Sequence, residues 1–256
     1  MRRRQRYVPI LLAAATLTAC QGDGKNAEPA AAANSSVSAQ SRPQSSAATN
    51  PLDNEDGTKP GLAPLSSAAD LARARALVER VQTKGRGSPA GYDRDRYGPA
   101  WTDTVTGVPY GGNSCGTRDD ILKRDGRATE WKDAKGCVVD TMTLADPYSG
   151  KTLAFTKAKA SAVQIDHVVP LSASWRMGAA QWDPDKRRRL ANDPLNLLAV
   201  DGPINGGKGD SGPAEWLPPN REIRCSYVVR YAQVSIKYEL PVTDADKQAM
   251  LAQCAS

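Results

Sequence analysis

What most limits the fold of this chain is its first sixty residues, which offer almost nothing from which a core can be built. From Gln21 to about Pro60 the sequence is rich in Ala, Ser, Asn, Pro and Gln and nearly free of large apolar side chains. Such a segment cannot bury enough surface to offset the entropy lost on ordering. It reads as a disordered tether, and the fold must be made between about Leu62 and Cys254. That stretch suits one core, or one core with decorations.

The tether follows an export signal. "MRRRQRYVPILLAAATLTAC" has a basic start, a short apolar run and small residues leading to Cys20, a secretory pattern too short in its apolar part for a permanent span. Leu17-Thr18-Ala19-Cys20 resembles a lipobox, which implies cleavage before Cys20, lipidation of that cysteine and anchoring at the outer face of the cell membrane. The alternative is an ordinary signal cut among the following alanines, giving a secreted protein. The predicted organisation is a signal peptide over 1–19, a tether over 20–60, an N-terminal helical extension over 61–104 and the main domain over 105–256. The formal charge of +6 falls to +2 without the four signal arginines, and the tether's −2 leaves the folded part at +4. That balance is mildly basic and compatible with nucleic acid.

Lipidation of Cys20 leaves four of the five cysteines, enough for two disulfides in an oxidising compartment, with three pairings open. Proximity favours Cys115 with Cys137. Cys225 and Cys254 lie in two predicted helices broken at Pro241-Val242-Thr243, with Thr243 or Asp244 as N-cap, and an antiparallel hairpin brings them within a turn of each other. The absence of any Cys-x-x-Cys pair argues against a cysteine zinc site.

Periodicity and turn residues give a coarse α+β reading. A helix over 66–83 is opened by Ser66 or Ser67 and carries Leu71, Ala74, Val78 and Val81 on one side. "GTRDDILKRDG" is a helix capped by Thr117 and ended at Gly126. "CVVDTMTLADPYSGKTLAFT" gives two strands about a turn at 146–150, and "SAVQIDHVV" a strand stopped by Pro170. Two short helices follow, through Trp175 and through Lys186-Arg187-Arg188-Arg189. "LNLLAV" is a strand, and "DGPINGGKGD" a turn into a short helix. Trp175, Trp182 and Trp216 read as core.

His167 in "IDHVVPL" is the only histidine of the chain. Its side chain titrates near neutrality, so a single copy draws attention as a base or ligand, although a lone histidine is also compatible with a hydrogen-bonded bystander. Around it the order is strand with Asp166-His167, helical insertion, strand from Asn196, turn, and helix carrying Asn205 and Lys208. "DHVVPL", "DPLNLLAV" and "INGGKGD" make this ββα pattern resemble the HNH endonucleases, with Asn196 and Asn205 nine residues apart. The longer run from Asp166 to Pro219 resembles the HNH domain at the C-terminus of GmrSD-type restriction endonucleases, and the likeness extends over about 105–254.

The resemblance implies a ββα-metal core and hydrolysis of phosphodiester bonds, of DNA first and RNA second. It assigns His167 as general base, Asp166 and Asn205 as metal ligands, and Asn196 as the residue that fixes the loop or the imidazole. Two hard oxygen ligands suit Mg²⁺, and Mn²⁺ would also fit. The third motif position is Asn205 where the simplest pattern has histidine, a departure that bears on metal preference. Lys208 is placed to meet a phosphate. Lys186, Arg187, Arg188 and Arg189 read either as a solvated helix face or as a DNA backbone contact. Arg118 reads as a helix-capping charge, and as a nucleic-acid contact only through the resemblance. Asp166 and His167 leave opposite faces of their strand. The expected partner is nucleic acid, with the membrane reached only through the lipid and no protein partner. Two other readings stay open: a catalytically silent surface lipoprotein binding DNA or a partner, and a phosphodiesterase for a non-nucleic substrate.

Overall fold

The computed structural model describes residues 48–255. The expected signal peptide, Cys20 and the tether as far as residue 47 lie outside the described residues.

The elements are helix α1 (Ala68–Glu79), α2 (Thr117–Asp125), strands β1 (Gly126–Trp131), β2 (Val139–Ala145), β3 (Thr152–Thr156) and β4 (Val163–His167), then α3 (Leu171–Met177), α4 (Pro184–Asn192), β5 (Leu197–Asp201), α5 (Gly202–Lys208), α6 (Arg224–Tyr238) and α7 (Asp244–Gln253). This is α+β. An antiparallel sheet runs β1-β2-β3, and β4 pairs with β5 alone, antiparallel, with His167 opposite Leu197 and Val163 opposite Asp201. The β4–β5 pair separates two apolar clusters. Val163, Ile165, Leu197 and Ala199 pack with Ile121, Leu122 and Phe155 on one side. On the other, Leu198 and Val200 join Tyr148, Val168 and the long face of α6.

Several caps match the chain's local signals. Ser67 caps α1, and Thr243 caps α7 in a capping box with Asp246. Ala74, Val78 and Val81 are buried as the periodicity predicts. Cys115 is joined to Cys137 and Cys225 to Cys254, with Cα separations of 5.0 and 4.8 Å.

Three expectations are corrected. The tether was expected to run to residue 60, yet residues 48–60 are folded. Leu52 and Asn54 are buried, Gln233 donates to the Pro51 carbonyl, and Arg124 donates to that of Gly57. Gly57, at φ 74°, lies so close to Leu195 that a Cβ would sit 2.3 Å from its backbone nitrogen. Long-range polar contacts hold this segment, and composition does not report them. Second, α2 is capped by Gly116, while the Thr117 hydroxyl donates to the Thr102 carbonyl. Third, β1 was not foreseen. Its sequence GRATEW is polar, and its pairing with β2 is interrupted by register shifts.

Candidate active site

Pairing of β4 along one edge only leaves its other edge to border a cavity of about 570 Å³. Consecutive residues Gln164 to His167 line it, together with Arg94, Trp101, Arg118, Asn205 and Asp210. A cleft of this size is ordinary for a ligand site.

His167 closes the end of β4. Its Nε2 lies 3.0 Å from the Ala191 carbonyl oxygen. A carbonyl can only accept, so Nε2 carries the hydrogen and Nδ1 keeps its lone pair. Burial pushes the imidazole pKa down to about 4, against the upward pull of the Ala191 bond, with Arg94 adding to the depression. The ring is therefore neutral near pH 7 and able to take a proton at Nδ1. Trp101 stacks on it with centroids 5.5 Å apart and planes 13° apart. Trp101 sits at φ 57°, a left-handed conformation disfavoured for a bulky side chain, and its carbonyl accepts from Thr117 N at 3.3 Å.

Asp166, one residue earlier, faces the other way. Both of its carboxylate oxygens lie 2.7 Å from the Lys208 ammonium, which also donates to the His167 carbonyl at 2.6 Å. All three ammonium protons thus have oxygen partners. The Tyr148 hydroxyl donates to the same carboxylate. Burial lowers the Lys208 pKa and Asp166 pulls it back up; the three oxygen acceptors require the ammonium form. The expectation that Lys208 meets a phosphate is therefore corrected. Its charge lies in the interior, fully buried, held by Asp166.

Asn196 is also interior. Its Oδ1 accepts from Val169 N at 2.8 Å, and its Nδ2 donates to the carbonyls of Leu190 and Val169. These bonds tie it to the loop that follows His167, and none of them reaches the imidazole. Asn205 does reach the cavity. Its Nδ2 donates to Gln164 Oε1 at 2.9 Å, and among the described residues its Oδ1 has no hydrogen-bond partner.

The expected oxygen pair for a metal, Asp166 with Asn205, does not fit a divalent ion in this arrangement. Asn205 lines the cavity and keeps an oxygen without a partner among the described residues, whereas an ion at Asp166 would have to displace an ammonium already bound to both oxygens. Among the described residues no group of three or more His, Cys, Asp and Glu side chains is gathered for a metal.

The arginines divide sharply. Arg118 lines the cavity, with its guanidinium over the Phe155 ring and within 3.4 Å of the Ala160 and Val163 carbonyls; burial lowers its pKa. No carboxylate pairs with it among the described residues. The basic run of α4 is elsewhere. Arg187 is buried, donates to the carbonyls of Arg96, Ala179 and Trp182, and lies over Trp175. Its assignment as a nucleic-acid contact is overturned, because the helix turns this residue inward. Lys186 sits on Trp182 and pairs with Glu239, and Arg188 pairs with Asp185. Neither they nor Arg189 border the cavity.

Sequence reasoning missed Arg94, Trp101, Tyr148 and Gln164. Gln164 carried a weak signal, since it lies two residues before Asp166 on the same face of β4. The other three reach the site from distant segments without a local motif.

The profile of the GmrSD restriction endonucleases, C-terminal domain, matches residues 116–253. A protein of Arthroderma benhamiae described as an uncharacterized secreted protein is 37% identical over 179 residues, covering 69% of this chain and 81% of the relative. No solved structure matches the chain.

Proposed function

The chain belongs to the family of the C-terminal domain of the GmrSD restriction endonucleases, and we propose that it is an exported nuclease hydrolysing phosphodiester bonds of nucleic acid, DNA first. One observation carries the reading: His167, whose Nδ1 has no hydrogen-bond partner among the described residues, lines a cavity together with Arg94 and Arg118, two guanidinium groups without carboxylate partners there. A phosphodiester supplies the missing negative charge. Nδ1 of His167 takes a proton from the attacking water, whose oxygen bonds to phosphorus as the bond to the leaving oxygen breaks. The arginines offset charge gathering on the phosphoryl oxygens. Asn196 holds the backbone beyond the base, and the Lys208–Asp166 pair holds the strand end from behind.

The family resemblance brings with it an Mg²⁺ or Mn²⁺ requirement and a ββα-metal core made by β4, β5 and α5. Of the expected pair, Asn205 alone keeps an oxygen without a partner among the described residues, so the pair as arranged does not fit such an ion. A second reading, a catalytically silent nucleic-acid binder, is favoured by the ammonium on Asp166. Export is supported by the secreted relative. Lipid anchoring through Cys20 is tested by Cys20→Ser, which should release the protein from membranes; membrane fractionation unchanged by that substitution would refute it.

The test of function is incubation of the purified protein with plasmid, single-stranded DNA and RNA, each with Mg²⁺, Mn²⁺ or EDTA. Hydrolysis is expected, and His167→Ala should lower it by about 10²- to 10⁴-fold, the usual worth of a general base. Hydrolysis undiminished in a folded His167→Ala protein would remove the base, and binding without cleavage under every condition would favour the silent binder.

A further inference from the structure

The family match begins at residue 116, yet the cavity is completed by a segment before it. Residues 86–101 form a strap across α3 and α4. Gly87 N donates to the Arg176 carbonyl at 3.2 Å, and Trp175 Nε1 donates to that of Ala90 at 3.1 Å. The Tyr97 hydroxyl reaches the Leu171 carbonyl at 2.9 Å, and Arg187 Nε donates to Arg96 O at 2.9 Å. The backbone on both sides of Arg94 is thus fastened to the helices that follow the catalytic strand.

Arg94 itself is different. It is exposed, and among the described residues its guanidinium has no hydrogen bond and no ion pair, although it borders the cavity beside His167 and Trp101. Its charge is felt at the imidazole. An arginine without a partner on an anchored backbone keeps its five N–H donors for a ligand, and their fork suits phosphoryl oxygens. Apart from the enclosed Asp166, Asp210 is the carboxylate at the cavity, and it pairs with neither arginine. The site thus has two guanidinium groups without carboxylate partners, Arg94 and the carbonyl-bound Arg118, against one open carboxylate.

We propose that Arg94 is a phosphate-binding residue supplied by this chain's own strap in front of the family domain, receiving the phosphodiester that lies against His167. The inference rests on the nuclease reading for its ligand. Its chemistry is that of one nucleic-acid phosphate, gripped between Arg94 on the strap and Arg118 on α2.

The experiment is fluorescence anisotropy of a labelled single-stranded oligonucleotide with the purified full chain, in EDTA, across a salt series. Each phosphate neutralised on a single strand contributes about 0.7 to the slope of log K against log salt. Arg94→Ala should make that slope shallower by about 0.7, equivalent to about 2.5-fold less weakening between 50 and 200 mM salt. Arg94→Lys, which keeps the charge, should restore the slope while binding less tightly. Arg73→Ala, away from the cavity and paired with Asp53 and Asp70, should leave the slope unchanged. A wild-type slope in Arg94→Ala, or no binding by the wild type, overturns the subsite. Cleavage assays report on the nuclease reading separately: a slope that depends on Arg94 without any hydrolysis would sink that reading and leave the phosphate site standing, and normal hydrolysis with an unchanged slope would do the reverse.

Discussion

Asp166 and His167 are neighbours on β4 with opposite surroundings. On the Asp166 side both carboxylate oxygens are bound by Lys208, Tyr148 adds a third donor, and the ammonium has no proton left over. At the cavity, by contrast, His167 Nδ1, Asn205 Oδ1 and the Arg94 guanidinium all lack partners among the described residues. Strand alternation places the two side chains on opposite faces, and the unpaired edge of β4 lets the cavity touch both. The difference teaches where function can sit. A closed polar set stabilises and orients, whereas open groups of complementary chemistry are available to a ligand.

The contrast is broken most severely at Lys208. Replacing it with Met leaves a buried carboxylate without its cation, and truncating one member of a buried pair costs about 3–5 kcal/mol. Chemical denaturation should show a loss of that size in Lys208→Met, with part recovered in the double variant carrying Asp166→Asn. A loss below about 1 kcal/mol would mean that the Asp166 side is open after all, and that the carboxylate is free to serve the cavity.

A somewhat smaller effect is expected from the imidazole. The folded pKa of about 4 lies below the ordinary value of 6.5, so between those values the unfolded chain binds the extra proton. Stability from this residue is present above pH 6.5 and is lost as pH falls toward 4, amounting to about 3 kcal/mol across the window. Denaturation of the wild type and of His167→Gln at pH 7, 5.5 and 4.5 checks this; the variant should lose less stability on acidification. Because His167 is the single histidine, its proton resonances report the pKa directly. Trp101→Ala should move that pKa upward by admitting water to the ring. An unchanged pKa in Trp101→Ala would show that the stack does not seal the base.

Much of this arrangement was legible in the sequence because it is local. The β4, β5 and α5 order, the cap at Thr243 and the two disulfide pairings follow from periodicity, turn residues and short separations along the chain. What escaped is tertiary. The Lys208 ammonium was expected to face a phosphate because nothing in "INGGKGD" says which side of α5 meets Asp166. Arg187 lies in a basic run that reads as solvated, yet the angle at which α4 packs turns one of its four charges inward onto backbone carbonyls. Arg94 and Trp101 precede His167 by the whole of α2 and the three-stranded sheet, and no spacing rule connects them to it.

The smallest change in stability is expected at Asn205, and there it separates the two kinds of environment most finely. Its bond to Gln164 Oε1 is partly buried, and its Oδ1 has no partner among the described residues. A neutral hydrogen bond contributes about 0.5–1.5 kcal/mol, and one near solvent falls at the lower end. Asn205→Ala should therefore cost less than about 1 kcal/mol in urea denaturation while lowering hydrolysis, since Asn205 lines the cavity. Asn196→Ala should behave in the opposite way: it removes three buried contacts to the backbone after His167, so stability falls first and activity follows the loss of fold. A loss in Asn205→Ala as large as that in Lys208→Met would place Asn205 with the closed scaffold. The open set at the cavity would then be reduced to His167 and the arginines.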